Sequence, residues 1–331
     1  MKTIQRFATL TSIAILTVLL LLAAPGSSAA RTKYISIGTG GTGGVYYPYG
    51  GGLAEIWTKH VKGVKAIAEV TGASVENTRL ADRGETVIGE IMGDVAYQAY
   101  YGEGKFRGKP QKIKAMFMMY PNVYHVVTLA DKKINSIQDL KGQRVSVGAP
   151  GSGTEFMTNL VLKSLGLTYS DFKVSRLSFV ETANALKDHS IDVGIWCVAA
   201  PTSSIMDLAT THKIKIISFT PEEMKRITDA YGFYSPYVLP AGTYNNISKD
   251  ILTPSVWNVV ICSANLDEDL VYQLTKATFE NQDYLIKIHP FAKHTTPQNA
   301  IEHAIIPYHP GAVKYFEEIG IKVPKKLGGT K

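Results

Sequence analysis

Cysteine is nearly absent from this chain: Cys197 and Cys262 are the only two in 331 residues. Both sit in apolar, strand-like runs, IDVGIWCVAA and VWNVVICSA, so two buried thiols are expected rather than a bridge. No cysteine lies near the N-terminal leader, which argues against a lipid anchor of the bacterial lipoprotein type. The eight histidines form no H-x-x-x-H or His/Cys cluster, so nothing supports a zinc site. No Gly-Lys-Ser/Thr follows the glycine runs, which excludes a P-loop, and Pro150 breaks the G-x-S-x-G pattern around Ser152. A nucleophile beside a base is not identifiable, so the chain is read as a non-enzyme without cofactor or metal. Clustered positive charge is also missing. The formal net charge is +7, but its lysines are scattered, leaving no basic face for nucleic acid. Internal repeats, low-complexity linkers and coiled-coil patterns are absent too.

What is present begins with a leader. Lys2 and Arg6 precede an apolar run from Ile13 to Ala24, and Ser28-Ala29-Ala30 offers small residues for cleavage. These are the proportions of a secretory signal peptide over residues 1–30, cut near Ala30, and they predict a periplasmic protein. The run is too short for a comfortable membrane span and no second one follows. The remaining ~300 residues can bury a large core, most naturally as two domains.

The most informative stretch is YISIGTGGTGGVYYPYGGG, residues 34–52. A strand at 34–37 breaks into a loop with five glycines among seven residues, which leaves backbone N–H groups open to an anionic or polar ligand. Pro48 and the spacing Leu53, Ile56, Trp57, Val61 then predict a helix, whose start attracts negative charge. Gly38, Gly40 and Gly43 satisfy G-x-G-x-x-G, but glycine is so dense here that the match carries little. The helix does not begin at the third glycine, and Glu69 is followed by Val70-Thr71 rather than closing a clean second strand. A nucleotide is therefore not expected. A second unit of the same kind follows: Arg144–Val147 as strand, residues 148–153 as glycine loop, and a helix from Thr154 with one apolar face through Met157, Leu160, Val161 and Leu165.

Strand-like and helix-like segments alternate throughout, which predicts an α/β protein with a largely parallel sheet in each of two lobes. Ser136-x-x-Asp139 and Thr220-Pro221-Glu222-Glu223 read as capped helix starts, Gly142 and Gly166 as stops, and Asp267 as the start of a late helix. Two long apolar runs, residues 113–129 and 256–262, read as strands passing between lobes. They predict a discontinuous lobe I (31–123 plus 259–331) and an inserted lobe II (124–258). Each lobe then presents one strand–glycine–helix unit, and two such strand ends across a cleft would hold a small anion.

These residues form ordered blocks that resemble the TAXI family, the TRAP-associated extracytoplasmic solute receptors. The blocks are Ile37-Gly38-Thr39-Gly40 with Gly43-Gly44-Val45-Tyr46-Tyr47-Pro48, then Thr71-Gly72 with Ser74-Val75 and Asn77, then Asp94-Val95-Ala96-Tyr97 with Ala99-Tyr100. Asp139-Leu140-Lys141-Gly142 with Arg144-Val145, Gly151-Ser152-Gly153-Thr154, Val271-Tyr272 with Phe279-Glu280-Asn281, and His309-Pro310-Gly311-Ala312 with Tyr315 complete them. Two positions depart from the family: Gly93 stands where Ser or Asn is usual, and Ala73 replaces a common glycine. The resemblance implies a two-lobe periplasmic-binding-protein fold of the type II kind, with two hinge strands. It also implies a small carboxylate ligand such as glutamate or 2-oxoglutarate, delivery to the membrane subunits of a TRAP importer, and a monomeric receptor.

The candidate ligand-binding residues are Thr39, Gly41, Thr42, Gly43, Val45, Tyr46, Tyr47 and Tyr97 on one side, and Gly151, Ser152, Gly153, Thr154, Glu155, Trp196 and Pro201 on the other. Of Tyr46 and Tyr47, one is expected to face the ligand and one to pack elsewhere. Asp94 is expected to cap the 95–101 helix. Glu155, in a first helical turn, either interacts with the helix dipole or pairs with a ligand ammonium. Arg79, Arg83, Arg144 and Arg176 are not ranked by sequence as ligand partners. Two rival functions are carried: a secreted α/β hydrolase or transferase using Ser152, and a cell-surface interaction protein with a vestigial cleft.

Overall fold

The computed structural model describes residues 32–84 and 87–329. The leader and its expected cleavage site lie outside the described residues. Among the described residues no helix is long and apolar enough to cross a membrane.

Among the described residues ten strands form one mixed sheet: β1 (Lys33–Gly38), β2 (Val64–Glu69), β3 (Val87–Met92), β4 (Ile113–Leu129), β5 (Arg144–Ser146), β6 (Lys173–Ser175), β7 (Val193–Val198), β8 (Ile214–Ile216), β9 (Ser235–Leu239) and β10 (Ile251–Ser263). The order is β2-β1-β3-β10-β4-β7-β5-β6, with β8 on β4 and β9 on β10. Strands β1 and β3 are parallel, as are β5–β6 and β5–β7. The expected largely parallel sheets are thus joined through an antiparallel centre, because β4 and β10 run against each other and against their outer neighbours.

Those two strands explain the long apolar runs. Residues of β4 near Ile113 pair with the end of β10, whereas its far half pairs with β7 and β8. The start of β10 pairs with β9 and its end with β3. Burial on both faces makes both strands read as continuous hydrophobic segments. Strand β4 runs unbroken through Pro121-Asn122. Pro121 lies opposite Trp257 beside a register shift between Trp257 and Val259, and a bulge is where a strand tolerates a missing N–H.

Eleven helices among the described residues cover this sheet. On the β1–β3 side these are α1 (Tyr46–His60), α2 (Ser74–Arg83) and α3 (Gly93–Tyr101). On the β5–β7 side are α4 (Gly153–Ser164), α5 (Phe179–Lys187), α6 (Ser203–Thr211) and α7 (Pro221–Ala230). The chain ends with α8 (Glu268–Glu280), α9 (Gln282–Ile288), α10 (Pro297–Glu302) and α11 (Pro310–Glu318). Helix α8 returns to α1, where the Trp57 indole N–H donates to Thr278 Oγ1 at 2.9 Å. The Thr220 capping box and the Asp267 cap form as read. The Ser136 box also forms, but on a single 3₁₀ turn rather than an α-helix. Helix α1 starts at Tyr46, two residues before Pro48, whose ring sits harmlessly in the first turn because no acceptor is available there. Cys197 and Cys262 are free, buried thiols, and burial pushes both up in pKa.

Candidate functional site

Every parallel strand named above stops at one place. The segments that leave β1, β2, β3, β5, β6 and β7 wall a cavity of about 190 Å³. Gly40, Gly41 and Gly44–Tyr46 line it from the first glycine loop, residues 70–74 and Met92 from the same side. Ala149 and Ser152–Thr154 face them, with Ser178, Phe179, Cys197 and Val198 completing the wall and Asn122 of β4 at the base. The volume is below the ~300–1,000 Å³ common for drug-sized ligands, so the space is sized for a small metabolite.

Four helices point their N-termini at this space: α1, α2, α4 and α5. The first N–H groups of a helix lack intrahelical acceptors and carry partial positive charge. On α4, Ser152 Oγ accepts from Glu155 N–H at 3.1 Å, which leaves the Gly153 and Thr154 amides for the cavity. Ser178 Oγ likewise accepts from Glu181 N–H, and Thr154 Oγ1 accepts from Cys197 N–H at 3.3 Å. Ser152 and Thr154 use their oxygens on the backbone and keep their O–H groups to donate, whereas the Ser178 O–H turns to the Glu181 carboxylate. Among the described residues no Arg, Lys, His, Asp or Glu lines the cavity. Backbone dipoles and hydroxyls line it and favour an anion, while the buried Asp94 and Glu90 stand behind the wall residues Tyr46 and Cys197, their carboxyls raised by burial.

The two sides already touch. Gly43 carbonyl oxygen accepts from the hydroxyls of Thr202 (3.1 Å) and Ser204 (2.9 Å), and Val75 N–H donates to Gly151 O at 3.1 Å. Lys105 Nζ reaches Glu155 at 2.8 Å, Tyr234 OH donates to Asp94 at 2.8 Å, and His289 Nε2 lies 3.1 Å from Pro201 O. Gly153 belongs to this contact: a Cβ there would stand 2.4 Å from Met92 Sδ and 2.6 Å from Ser74 Oγ.

Of the expected site residues, the cavity wall takes Gly41, Val45, Tyr46, Ser152, Gly153 and Thr154. Tyr46 also donates to Asn258 Oδ1 at 2.5 Å, while Tyr47 is partly exposed and lies off the cavity wall. Thr39 is fully buried and holds its own loop by donating to Glu69 O at 2.7 Å. Thr42 and Gly43 line a separate, shallower pocket beside Ser203 and Ser204. Tyr97 stands in a third pocket against Phe233 and Tyr101. Gly151 contributes its carbonyl to Val75, Pro201 its carbonyl to His289, and Trp196 lies behind Phe179 with its indole N–H on Ser204 Oγ. Glu155 turns to Lys105 and to Arg176 Nε (3.0 Å). Burial raises its carboxyl, but the two cations outweigh that and hold it below the usual range. Of the four unranked arginines none lines the cavity; Arg144 is spent on Asp192 at 2.8 Å.

Asp94 is not the cap expected of it. Helix α3 begins at Gly93, so Asp94 falls inside the first turn, fully buried between Val95 N–H and Tyr234 OH. Burial pushes its carboxyl up to about 7. The two departures from the TAXI pattern resolve differently. Gly93 lies off the cavity, and any Cβ would collide with Ile305 and the Trp257 carbonyl. Ala73 lines the cavity at φ 70°, ψ −143°, a conformation natural to glycine, and is strained there.

Sequence reasoning missed Asn122, Cys197, Val198, Ser178 and Phe179 as wall residues. The Ser178-x-x-Glu181 capping box was the readable signal for the last pair. It also gave Asn77 no role. That buried amide donates to the carbonyls of Gly38, Thr39 and Glu90 at 2.7–2.9 Å and fixes the ends of β1 and β3 together.

Residues 37–320 match the NMT1-like family. The chain belongs to the NMT1-like family. Solved structures similar to this NMT1-like chain share its fold at low identity. The periplasmic binding protein BugD aligns at TM-score 0.53 and 11% identity, covering 88% of this chain and 99% of its own. PhnD1 from Prochlorococcus marinus, in complex with methylphosphonate, aligns at 0.52 and 12%, covering 80% and 92%. A Bordetella bronchiseptica protein aligns at 0.52 and 17%, covering 86% and 88%. The fold is the two-lobe α/β fold of periplasmic binding proteins.

Proposed function

We propose that this chain is a non-enzymatic, extracytoplasmic solute receptor of the TAXI kind, which captures a small carboxylate and delivers it to the membrane subunits of a TRAP-type importer. One observation carries the reading: four helix N-termini and two donor hydroxyls, those of Ser152 and Thr154, converge on a metabolite-sized cavity whose wall holds no acidic side chain among the described residues. Preorganised dipoles of this sort stabilise a bound anion without a buried counter-charge to desolvate. The lobes divide at the central strands, 31–123 plus 259–331 against 124–258. Closure brings the two glycine loops to opposite sides of the ligand by bending β4 and β10 near their bulge. The protein works as a monomer in the periplasm. Ser152 serves as cap and ligand donor rather than nucleophile, since no base lines the cavity beside it among the described residues.

Calorimetric titration of the mature chain with a panel of small mono- and dicarboxylates tests this. At least one acid should bind with a dissociation constant near micromolar, about 8 kcal/mol, and raise the melting temperature. Turnover of an ester or amide, or a panel in which no carboxylate binds, would overturn it.

A further inference from the structure

Asn122 is 3% exposed at the base of the cavity. Its Nδ2 donates to the Cys197 carbonyl at 3.1 Å. A carbonyl only accepts, so the amide orientation is fixed and Oδ1 is the atom left over. Oδ1 is buried and has no hydrogen-bond partner. Leaving a buried acceptor unpaired is costly, and such an atom in a site wall marks a donor that is supplied from outside the chain.

The charge of that donor is limited by its surroundings. An ammonium would need a carboxylate near it, and none lines the cavity among the described residues. Glu155 is taken by Lys105 and Arg176, and Glu76 binds the Gly72 N–H at 2.7 Å. The positive ends of four helices would repel a cation further. A second carboxylate on the ligand would be equally unsupported, because among the described residues no arginine or lysine stands in the wall to receive it.

Resting on the receptor reading above, we infer that the solute is a short-chain hydroxy monocarboxylate: one carboxylate on the helix starts, one neutral hydroxyl donating to Asn122 Oδ1, and a small apolar body against Val45, Met92, Phe179 and Val198. Glutamate and 2-oxoglutarate, the acids suggested by family resemblance, fit this wall less well than a monoanion does.

The test is calorimetry on the mature wild-type chain with 2-hydroxybutyrate, 3-hydroxybutyrate, butyrate, 2-oxobutyrate, 2-aminobutyrate, glutamate and 2-oxoglutarate. One hydroxybutyrate should bind about tenfold or more tighter than butyrate, 2-oxobutyrate and 2-aminobutyrate, the loss expected when a buried acceptor goes unpaired. Asn122→Ala should erase that preference, bringing hydroxybutyrate and butyrate to equal affinity; the wild-type comparison decides the matter even if this variant folds poorly. Equal binding of hydroxybutyrates and butyrate overturns the hydroxyl, and tighter binding of either dicarboxylate overturns the single charge, both with the receptor reading intact. If no carboxylate in the set binds, the inference and the receptor reading fall together.

Discussion

The two walls of the cavity are built from the same strand–loop–helix unit, yet they are finished differently. On the β5–β7 side, α4 and α5 carry serine caps, and the acids are paired: Glu155 with Lys105 and Arg176, Asp192 with Arg144 and Lys132. On the β1–β3 side, α1, α2 and α3 have no side-chain cap, Ala73 is strained, Asp94 is buried without a cation, and Glu90 has no partner for either oxygen. The contrast teaches where the energy is held. The second wall pairs its acids and takes Lys105 from across the cleft for Glu155; the first leaves its buried acids without a cation and leans on Asn77 and on the second wall.

Acid and base should therefore separate the walls, and this is the largest effect expected. Burial raises Asp94 from its ordinary 3.8 to about 7 despite its hydrogen bonds from Tyr234 and Val95. The folded chain then holds this proton more tightly than the unfolded one. Its stabilising contribution is full below about pH 4 and is lost as pH rises through about 7, each tenfold difference in proton affinity being worth roughly 1.4 kcal/mol. Glu90 acts in the same direction, raised by burial alone. Denaturant melts from pH 4.5 to 7.5 should show Asp94→Asn flattening that decline by a few kcal/mol. A parallel profile for wild type and variant would remove the distinction. Glu155 and Asp192 are depressed, so their contribution is present above the usual carboxylate range and fails only in stronger acid.

Next in size is the contact between the walls. Gly153→Val places carbon where Met92 Sδ and Ser74 Oγ already lie, and overpacking of this kind costs about 1–3 kcal/mol. Ligand affinity should drop by roughly 10- to 100-fold in calorimetry, with the unliganded melting temperature much less affected. Equal affinity would mean that the walls do not close on the ligand.

A smaller change should repair the first wall. Ala73→Gly relieves a φ of 70° and should stabilise the chain by about 1 kcal/mol, read in urea melts. A loss of stability would show that this backbone is not strained. Smallest is the test between loops. Ser152→Ala removes a cap and a donor, for about 0.5–2 kcal/mol, whereas Thr42→Ala, off the cavity, should stay within about 0.5 kcal/mol in both affinity and stability. Comparable losses from both would restore the symmetric picture of the glycine loops.

Much of this was readable in the residues. The glycine loops, the capping boxes at Thr220 and Ser136, and the two long strands all announce themselves through local chemistry that tertiary packing then respects. What escaped depends on direction in space. Glycine density located the first loop but could not show that Thr42 and Gly43 turn to the Ser203–Ser204 segment while Gly41 and Gly44 face the cavity. Periodicity placed Tyr97 and Glu155 on the right helices, yet each points to neighbours far along the chain, Phe233 for one and Lys105 and Arg176 for the other. Asn122 was invisible inside an apolar run, where one polar residue reads as an interruption rather than as the base of a site.

Native mass spectrometry of the mature protein, purified without added ligand, tests the central claim most directly. A receptor of this kind should carry a stoichiometric adduct with the mass of a small organic acid, released when the chain is unfolded and rebound when the acid is returned. A protein that is empty as isolated, and that takes up no small carboxylate on addition, would contradict it.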